Sequence, residues 1–302
     1  MRRLAPLVAL ALLAGCGGGA GGESTVSRQG HFDAQRAFDD LRAQVRIGPR
    51  PEGSAASRRE VELIARRLRR AGLRKVLVQR PFLNVVARIP GRQPGTVVVG
   101  AHHDTKDIPG FVGANDGASG VAVLLELARD LPRPLPGPSI DLAFFDAEES
   151  RGASSGAAAF ARSGDRGSEQ FVRYARRGGA DGSPPLDSIR AMVLFDMVGD
   201  CKLEIPREAS SDPDLYRLFA DAAEKQTGSL TPFGGTAASV IDDQTPFIEA
   251  GVRSVDLIDF DYGPGPTPGA FWHTRQDSLR HVCARSLGVV GKPALAALPA
   301  IR

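Results

Sequence analysis

The sequence predicts a layered α/β sandwich in a single domain. Three observations carry this. Strand-like and helix-like segments alternate along the chain, and no internal repeat interrupts them. The β-branched run Val97-Val98-Val99 has the continuous apolar character of a strand buried on both faces of a parallel sheet. That run leads into His102, His103 and Asp104, then a polar loop, Gly113-Ala114-Asn115-Asp116-Gly117, then a helix with Val121, Leu124, Leu125 and Ala128 on one face. Open α/β sheets bind ligands outside the carboxyl ends of their strands, so His102, Asp104 and Asp116 fall where chemistry is expected.

The 302 residues suffice for one large α/β domain or two small ones, and a composition of 42% hydrophobic and 24% charged residues is that of a globular protein. Residues 1–16 read as a targeting segment. Arg2 and Arg3 precede an apolar stretch over 4–13 that is too short to span a bilayer. The segment ends Leu13-Ala14-Gly15-Cys16, similar to the lipobox of bacterial lipoproteins. Cleavage before Cys16 leaves a lipid-modified cysteine; an ordinary secretory signal with a chance cysteine is the alternative. Residues 17–30 read as a Gly/Ser-rich flexible tether and 31–302 as a single folded domain. The expected location is the bacterial cell envelope, anchored to the membrane and facing the periplasm or exterior. A net charge of +3 gives no case for nucleic acid. The cluster Arg66, Arg67, Arg69, Arg70, Arg74 and Lys75 reads as a solvated helix face. Outside the cytoplasm Cys201 and Cys283 can oxidise; their spacing fits no metal motif, and a disulfide or two free thiols are both open.

The elements follow in order. Phe38, Leu41 and Val45 recur at helical spacing and predict a helix over 33–46, broken by the turn at 48–54. Ser57 is placed to cap a second helix over 58–71, which Gly72 ends. Strands are expected over 76–79 and 84–89, then a turn at 91–95 into the opening strand. The helix after the polar loop ends near 130, and a proline-rich loop over 132–138 leads to a strand over 140–145. This strand runs into Asp146-Ala147-Glu148-Glu149. Residues 150–166, rich in Gly, Ala and Ser, read as a surface insertion, and Ser168 begins another helix. A second loop covers 175–186. Strands over 189–197, carrying Asp196, and 203–205 precede an amphipathic helix over 215–225. An apolar strand over 252–258 and a helix over 278–301 close the chain.

Five residues stand out as metal ligands: His102, Asp116, Glu149, Asp196 and His273. Two histidines and three carboxylates can hold two zinc ions if one carboxylate bridges, a pair able to clamp the attacking and leaving oxygens of a hydrolysis. With fewer ligands engaged the same set holds one zinc with an open position. In His102-His103-Asp104, Asp104 is placed to orient His102 from behind. His31 and His281 read as ordinary surface or core residues. Asp256, Asp259 and Asp261 lie near the site edge, open to contact with a substrate amine or to a plain solvated loop.

The segments G-A-H-H-D-T, G-A-N-D-G-A-S-G, F-F-D-A-E-E, F-D-M-V-G and W-H-T, in that order, resemble the family-28 zinc aminopeptidases and their relatives, the glutaminyl cyclases. The resemblance implies a three-layer αβα sandwich with a central mixed, mostly parallel sheet. It also implies a zinc-dependent enzyme whose partner is a peptide or protein N-terminus. It makes Asp116 the central zinc carboxylate, Glu149 and His273 the other ligands of a first zinc, and His102 and Asp196 the ligands of a second zinc in aminopeptidases. Glu148 is implied as general acid/base and Asp242 as a member of an acidic hydrogen-bond network.

Several features resemble the cyclase branch. They are the insertion at 150–166, the pairing of H-H-D-T-K with F-V-G-A, the segment from Ile241 to Phe247 containing Asp242, and Trp272, which can wall a small pocket beside His273. Gln244 stands where the cyclases have histidine, and it cannot change charge. That branch implies one zinc and cyclisation of N-terminal glutamine to pyroglutamate with release of ammonia. The aminopeptidase branch implies two zincs and hydrolysis of N-terminal residues. A peptide-binding module without catalysis is a more distant alternative.

Overall fold

The computed structural model describes Met1 and residues 30–302, apart from 155, 180 and 230. The expected signal peptide, most of the expected tether and the expected lipid anchor at Cys16 lie outside the described residues. Among those described, no helix is long and apolar enough to cross a membrane.

Two helices open the domain. Asp33 caps α1 (Ala34–Val45), its carboxylate accepting the N–H groups of Gln35 and Arg36. The cap of α2 (Ala55–Arg70) is Ser54, not Ser57: Ser54 is extended, and its hydroxyl accepts the N–H of Ser57 inside the first turn. Val61, Ile64 and Leu68 face inward while Arg66, Arg69 and Arg70 face solvent; Arg67 instead reaches back 2.7 Å to Asp40.

Strands β1 (Val76–Val78) and β2 (Val85–Ile89) lead to β3 (Gly91–His102). The expected turn at 91–95 belongs to this strand. Gly91 pairs with Leu135 across an irregular register because a Cβ there would lie 2.3 Å from the backbone of Pro138. For the same reason β4 (Leu135–Phe145) starts within the predicted proline-rich loop. Between them α3 (Ala118–Asp130) crosses over. Its Gly120 lets the helix approach β5 (Ile189–Asp196) so closely that a Cβ would meet the Phe195 carbonyl oxygen at 2.0 Å.

The remaining elements are α4 (Ala157–Ser163), α5 (Arg166–Arg176), β6 (Ile205–Glu208), α6 (Pro213–Thr227), β7 (Phe233–Ala237), α7 (Thr245–Glu249), β8 (Ser254–Ile258) and α8 (Ala284–Ala297). β7 and α7 are not apparent in the sequence: both are five residues long, and β7 carries two glycines. The strand expected at 203–205 begins where that prediction ends and pairs with β7 as a separate two-stranded sheet.

The main sheet runs β1-β2-β4-β3-β5-β8, antiparallel across β1, β2 and β4 and parallel from β4 to β8. Val97, Val99 and Ala101 join the larger apolar core with α1, α3, α6 and α8, while Val98 joins Phe145, Phe171 and Phe247 on the opposite face under α5 and α7. The result is a three-layer αβα sandwich with a mixed, largely parallel sheet.

The closing helix is shorter than expected. Residues 278–283 instead dock against the chain leaving β5: Asp200 bridges Val282, the Cys283 N–H donates to the Gly199 carbonyl, and Cys201 is disulfide-bonded to Cys283. Tertiary pairing overrides helical propensity here. The bridge closes a loop of 82 residues, which loop-closure entropy values at about 4 kcal/mol. Urea unfolding with and without reductant is expected to show an unfolding free energy lower by that order for the reduced chain; coincident curves would mean the bridge contributes nothing.

Candidate active site

Three strand ends meet at one edge of the sheet. In the parallel register His102 at the end of β3 lies opposite Phe145 at the end of β4, so the segment after Phe145 brings Glu148 and Glu149 beside His102. Asp196 ends β5. Asp116 comes from the loop before α3, and His273 from the segment before α8.

The loop holding Asp116 is pinned from below by Asp277. Its carboxylate accepts the N–H of Asn115 at 2.7 Å and of Asp116 at 3.1 Å, and it also accepts the Tyr262 hydroxyl. Asn115 in turn accepts the Gly199 N–H at 2.7 Å, tying the same loop to the chain beyond Asp196. Burial, with the Asp116 charge beside it, pushes the Asp277 carboxyl up to about 7. Asp277, four positions after His273, does not stand out in the sequence and carries no signal of its own.

The five candidate ligands form two overlapping triads. Donor atoms of His102, Asp116 and Asp196 lie within 4.8 Å of one another, as do those of Asp116, Glu149 and His273. His102 Nε2 is 3.2 Å from both Asp116 Oδ1 and Asp196 Oδ1. His273 Nε2 is 3.2 Å from Glu149 Oε1 and 3.4 Å from Asp116 Oδ2. Asp116 is therefore shared, one oxygen toward each triad. Asp116 Oδ2 is buried without a hydrogen-bond partner, a cost that a bound cation would remove. Imidazole and carboxylate in this ratio are a zinc donor set, and the residues fit that metal.

Burial opposes a charge on His102, but the nearby Glu148 and Asp196 carboxylates outweigh it and raise the imidazole well above its ordinary range. Asp104 lies 3.6 Å from His102 Nδ1, too far for a good hydrogen bond; its two oxygens instead accept the N–H groups of Glu148 and Glu149. It thus orients the Glu-Glu pair as well as facing the imidazole. Glu148 Oε2 stands 3.5 Å from His102 Nδ1. Burial raises the Glu148 carboxyl well above the usual range, with the Glu149 and Asp242 charges adding and His102 opposing.

Lys106, fully buried, is a further site residue that the sequence left as part of a motif. Its N–H donates to Glu149 Oε1 at 3.1 Å, its ammonium lies 3.8 Å from Glu149 Oε2, and it donates to the Ser150 carbonyl at 2.6 Å.

The site opens into a cavity of about 340 Å³ lined by Phe160, Ile258, Phe260 and Trp272 together with Glu148, Asp196 and Asp242. Trp272 stacks on His273 with centroids 3.8 Å apart and packs edge-on against Phe260. Residues 150–166 are not a plain surface insertion: Ala157 and Phe160 of α4 form part of this wall. Gln244 is buried and donates to the Val240 carbonyl, so its amide braces the segment carrying Asp242. Asp256, Asp259 and Asp261 do not line the cavity. Asp256 is buried in β8, Asp259 accepts the Glu204 N–H, and Asp261 is exposed. His281 is half-buried and stacks on Phe271 at 3.9 Å, away from the cavity lining, as an ordinary packed residue.

Four residues other than glycine have left-handed backbones among those described: Ala147, Asp165, Met197 and His273. Ala147 precedes Glu148, Met197 follows Asp196, and His273 is itself in a triad. Strained backbone clusters at functional sites, and this cluster marks the same edge of the sheet.

The model of peptidase family M28 matches residues 84–298, which span every one of these side chains. The chain belongs to peptidase family M28. Within that superfamily it is similar to the glutaminyl cyclase of an Acidobacteriales bacterium, with 30% identity, a TM-score of 0.76, and coverage of 90% of this chain and 96% of that one. It is also similar to a leucine aminopeptidase precursor from Bacteroides thetaiotaomicron, with 25% identity, a TM-score of 0.73, and coverage of 88% and 97%. Among curated relatives, the glutaminyl-peptide cyclotransferase of Boiga irregularis is 27% identical over 248 residues, 70% of this chain. The chain spans 64% of the length of that relative. Family M28 membership and two metal-donor triads together support a zinc-dependent enzyme.

Proposed function

We propose that the protein is a zinc-dependent enzyme acting on peptide N-termini, and that it cyclises N-terminal glutamine to pyroglutamate with release of ammonia. The observation that carries this reading is the small, largely apolar cavity lined by Trp272, which stacks on His273, and by Ala157 and Phe160 of α4. Ligand sites run from about 300 to 1,000 Å³, so a cavity of about 340 Å³ suits one terminal residue folded on itself better than an extended peptide. Similarity to several glutaminyl cyclases supports the same branch.

Asp116, Glu149 and His273 would hold one zinc, with His102 and Asp196 available for a second through the shared Asp116. When bound, zinc supplies Lewis acidity toward the γ-carbonyl of the substrate. The apolar walls exclude water and hold the chain end so that its own α-amine faces the γ-carbon. As the new C–N bond forms, the Glu148 carboxylate accepts the proton from the attacking nitrogen. It then delivers that proton to the departing amide nitrogen as the old C–N bond breaks, and ammonia leaves. Asp242 lies beside Glu148 to complete the acidic network.

A second reading is favoured by one specific observation: both donor triads are complete. A two-zinc aminopeptidase would use the same Glu148 to take a proton from the attacking water and deliver it to the leaving amine. Two measurements separate the readings: zinc per chain, and ammonia release from a glutaminyl dipeptide beside hydrolysis of an aminoacyl anilide. Ammonia with an equal yield of pyroglutamyl product, and an inert anilide, is the expected result. Two zincs with anilide turnover and no ammonia would establish the aminopeptidase instead.

A further inference from the structure

The end of the 150–166 segment delivers one more carboxyl to the site. Asp165 occupies the N-cap position of α5, where an aspartate ordinarily accepts first-turn N–H groups. Here it makes no capping hydrogen bond, and its backbone is left-handed at φ 53°. Two stabilising choices are therefore forgone at one residue. The side chain goes elsewhere: its carboxyl oxygen lies within 4.8 Å of those of Glu148 and Asp242. Asp165 is 6% exposed, and its Oδ1 is buried without a hydrogen-bond partner.

The backbone fixes this approach from both sides. The Asp165 N–H donates to the Glu148 carbonyl at 2.9 Å and the Arg166 N–H to the Ala147 carbonyl at 3.1 Å. The Arg166 guanidinium donates to the Glu149 carbonyl at 3.1 Å. Asp165 is thus held in register with the Glu-Glu pair, although sixteen intervening positions separate it from Glu148 in the sequence. Three carboxyls this close and this buried cannot all be ionised; they share at least one proton or hold a cation. Burial raises the Asp165 carboxyl well above the usual range, the charges of Asp243, Asp242 and Glu169 reinforce it, and His102 opposes it.

We propose that Asp165 is a positioning residue for Glu148: its carboxyl, turned away from the helix cap and held by the backbone against the Glu148–Asp242 pair, hydrogen-bonds into that pair and fixes the direction in which Glu148 presents its oxygens. This rests on Glu148 being the proton carrier of the proposed function. The carboxylate that moves the proton is then aimed from the insertion side, and α5 begins where it does because Asp165 is needed in the site.

The test compares Asp165→Asn and Asp165→Ala in the full chain, by kcat, KM and zinc content. An amide N–H can donate the same hydrogen bond, so Asp165→Asn is expected to keep kcat within about threefold, whereas Asp165→Ala loses about 10- to 100-fold, the scale of a misaimed catalytic group. KM and zinc content are expected to be unchanged in both. Added to Glu148→Gln, Asp165→Ala should lower kcat no further, because the two act as one unit. Full kcat in Asp165→Ala would overturn the proposal, as would equal damage in the two variants. An additional equivalent of zinc bound by the unaltered chain and lost in Asp165→Asn would also overturn it, showing a cation held among the three carboxyls. If the alanine variant does not fold, Asp165→Asn alone decides, a loss beyond tenfold counting against. Turnover surviving in Glu148→Gln would strike the proton-carrier assignment itself, whereas an inactive Glu148→Gln beside a fully active Asp165→Ala strikes only the role of Asp165.

Discussion

Glu148→Gln is expected to lower kcat by about 10³-fold or more while leaving KM and zinc content unchanged, within the 10²- to 10⁴-fold that a positioned acid–base group contributes. The geometry separates these two outcomes. Glu148 belongs to neither triad of candidate ligands, so its replacement leaves all five donors in place. Its backbone N–H is still anchored by Asp104, and the isosteric amide fills the same space beside His102. What disappears is the ability to accept a proton and return it. The same loss is expected whether ammonia or a peptide amine is the leaving group, because both reactions move one proton between two nitrogen- or oxygen-bound positions. Substantial remaining turnover would identify another group as the base, and loss of zinc would mean that Glu148 ligates.

Asp116→Asn is expected to be more damaging still, because it acts on both triads at once. One oxygen of Asp116 faces His102 and the other faces His273. An amide supplies one weak donor oxygen where two anionic ones stood. Zinc affinity should fall by more than the 10- to 100-fold that follows loss of an outer partner of a metal ligand, and activity should fall with it. Competition with a chromophoric chelator measures the affinity. The useful companion is His102→Ala, which touches a single triad. If the protein works with two ions, His102→Ala should release one and retain one, while Asp116→Asn weakens both. If it works with one, His102→Ala should leave zinc content unchanged. Wild-type affinity in Asp116→Asn would remove Asp116 from the ligand set.

Much of this arrangement was legible in the sequence because parallel strands deliver their last residues to a common edge. Val97 to Val99 announced a buried strand, and its register against β4 and β5 aligns His102, the Glu-Glu pair and Asp196. The layered fold follows from the same alternation. What was not legible depends on contacts between distant segments. Residues 278–283 carry helical character, yet a disulfide and a backbone bridge hold them against the chain after β5. Residues 91–95 read as a turn but pair with β4, because pairing there depends on how closely Pro138 approaches. Asp277 and Asn115 matter through backbone N–H groups that no side-chain pattern reveals. Lys106 appears as one letter of a motif until its ammonium is found against Glu149. The small residues of 150–166 suggested a surface loop, and their composition says nothing of where Asp165 and Phe160 come to rest.

The left-handed backbones at Ala147, Asp165, Met197 and His273 set two kinds of selection against each other. Each costs of order 1 kcal/mol relative to a residue that adopts that conformation freely. Glycine would relieve that strain at Ala147, whose side chain is a single methyl, whereas at Met197 it would also empty a buried site packed against Ile258 and Tyr262. Yet the Cβ of Ala147 narrows the range of directions in which the chain can carry Glu148. A screen for thermal tolerance is expected to enrich glycine at Ala147 alone, and a screen for turnover to remove it. Stability and activity can be optimised separately over most of this sandwich, but at this turn an improvement in one is bought from the other.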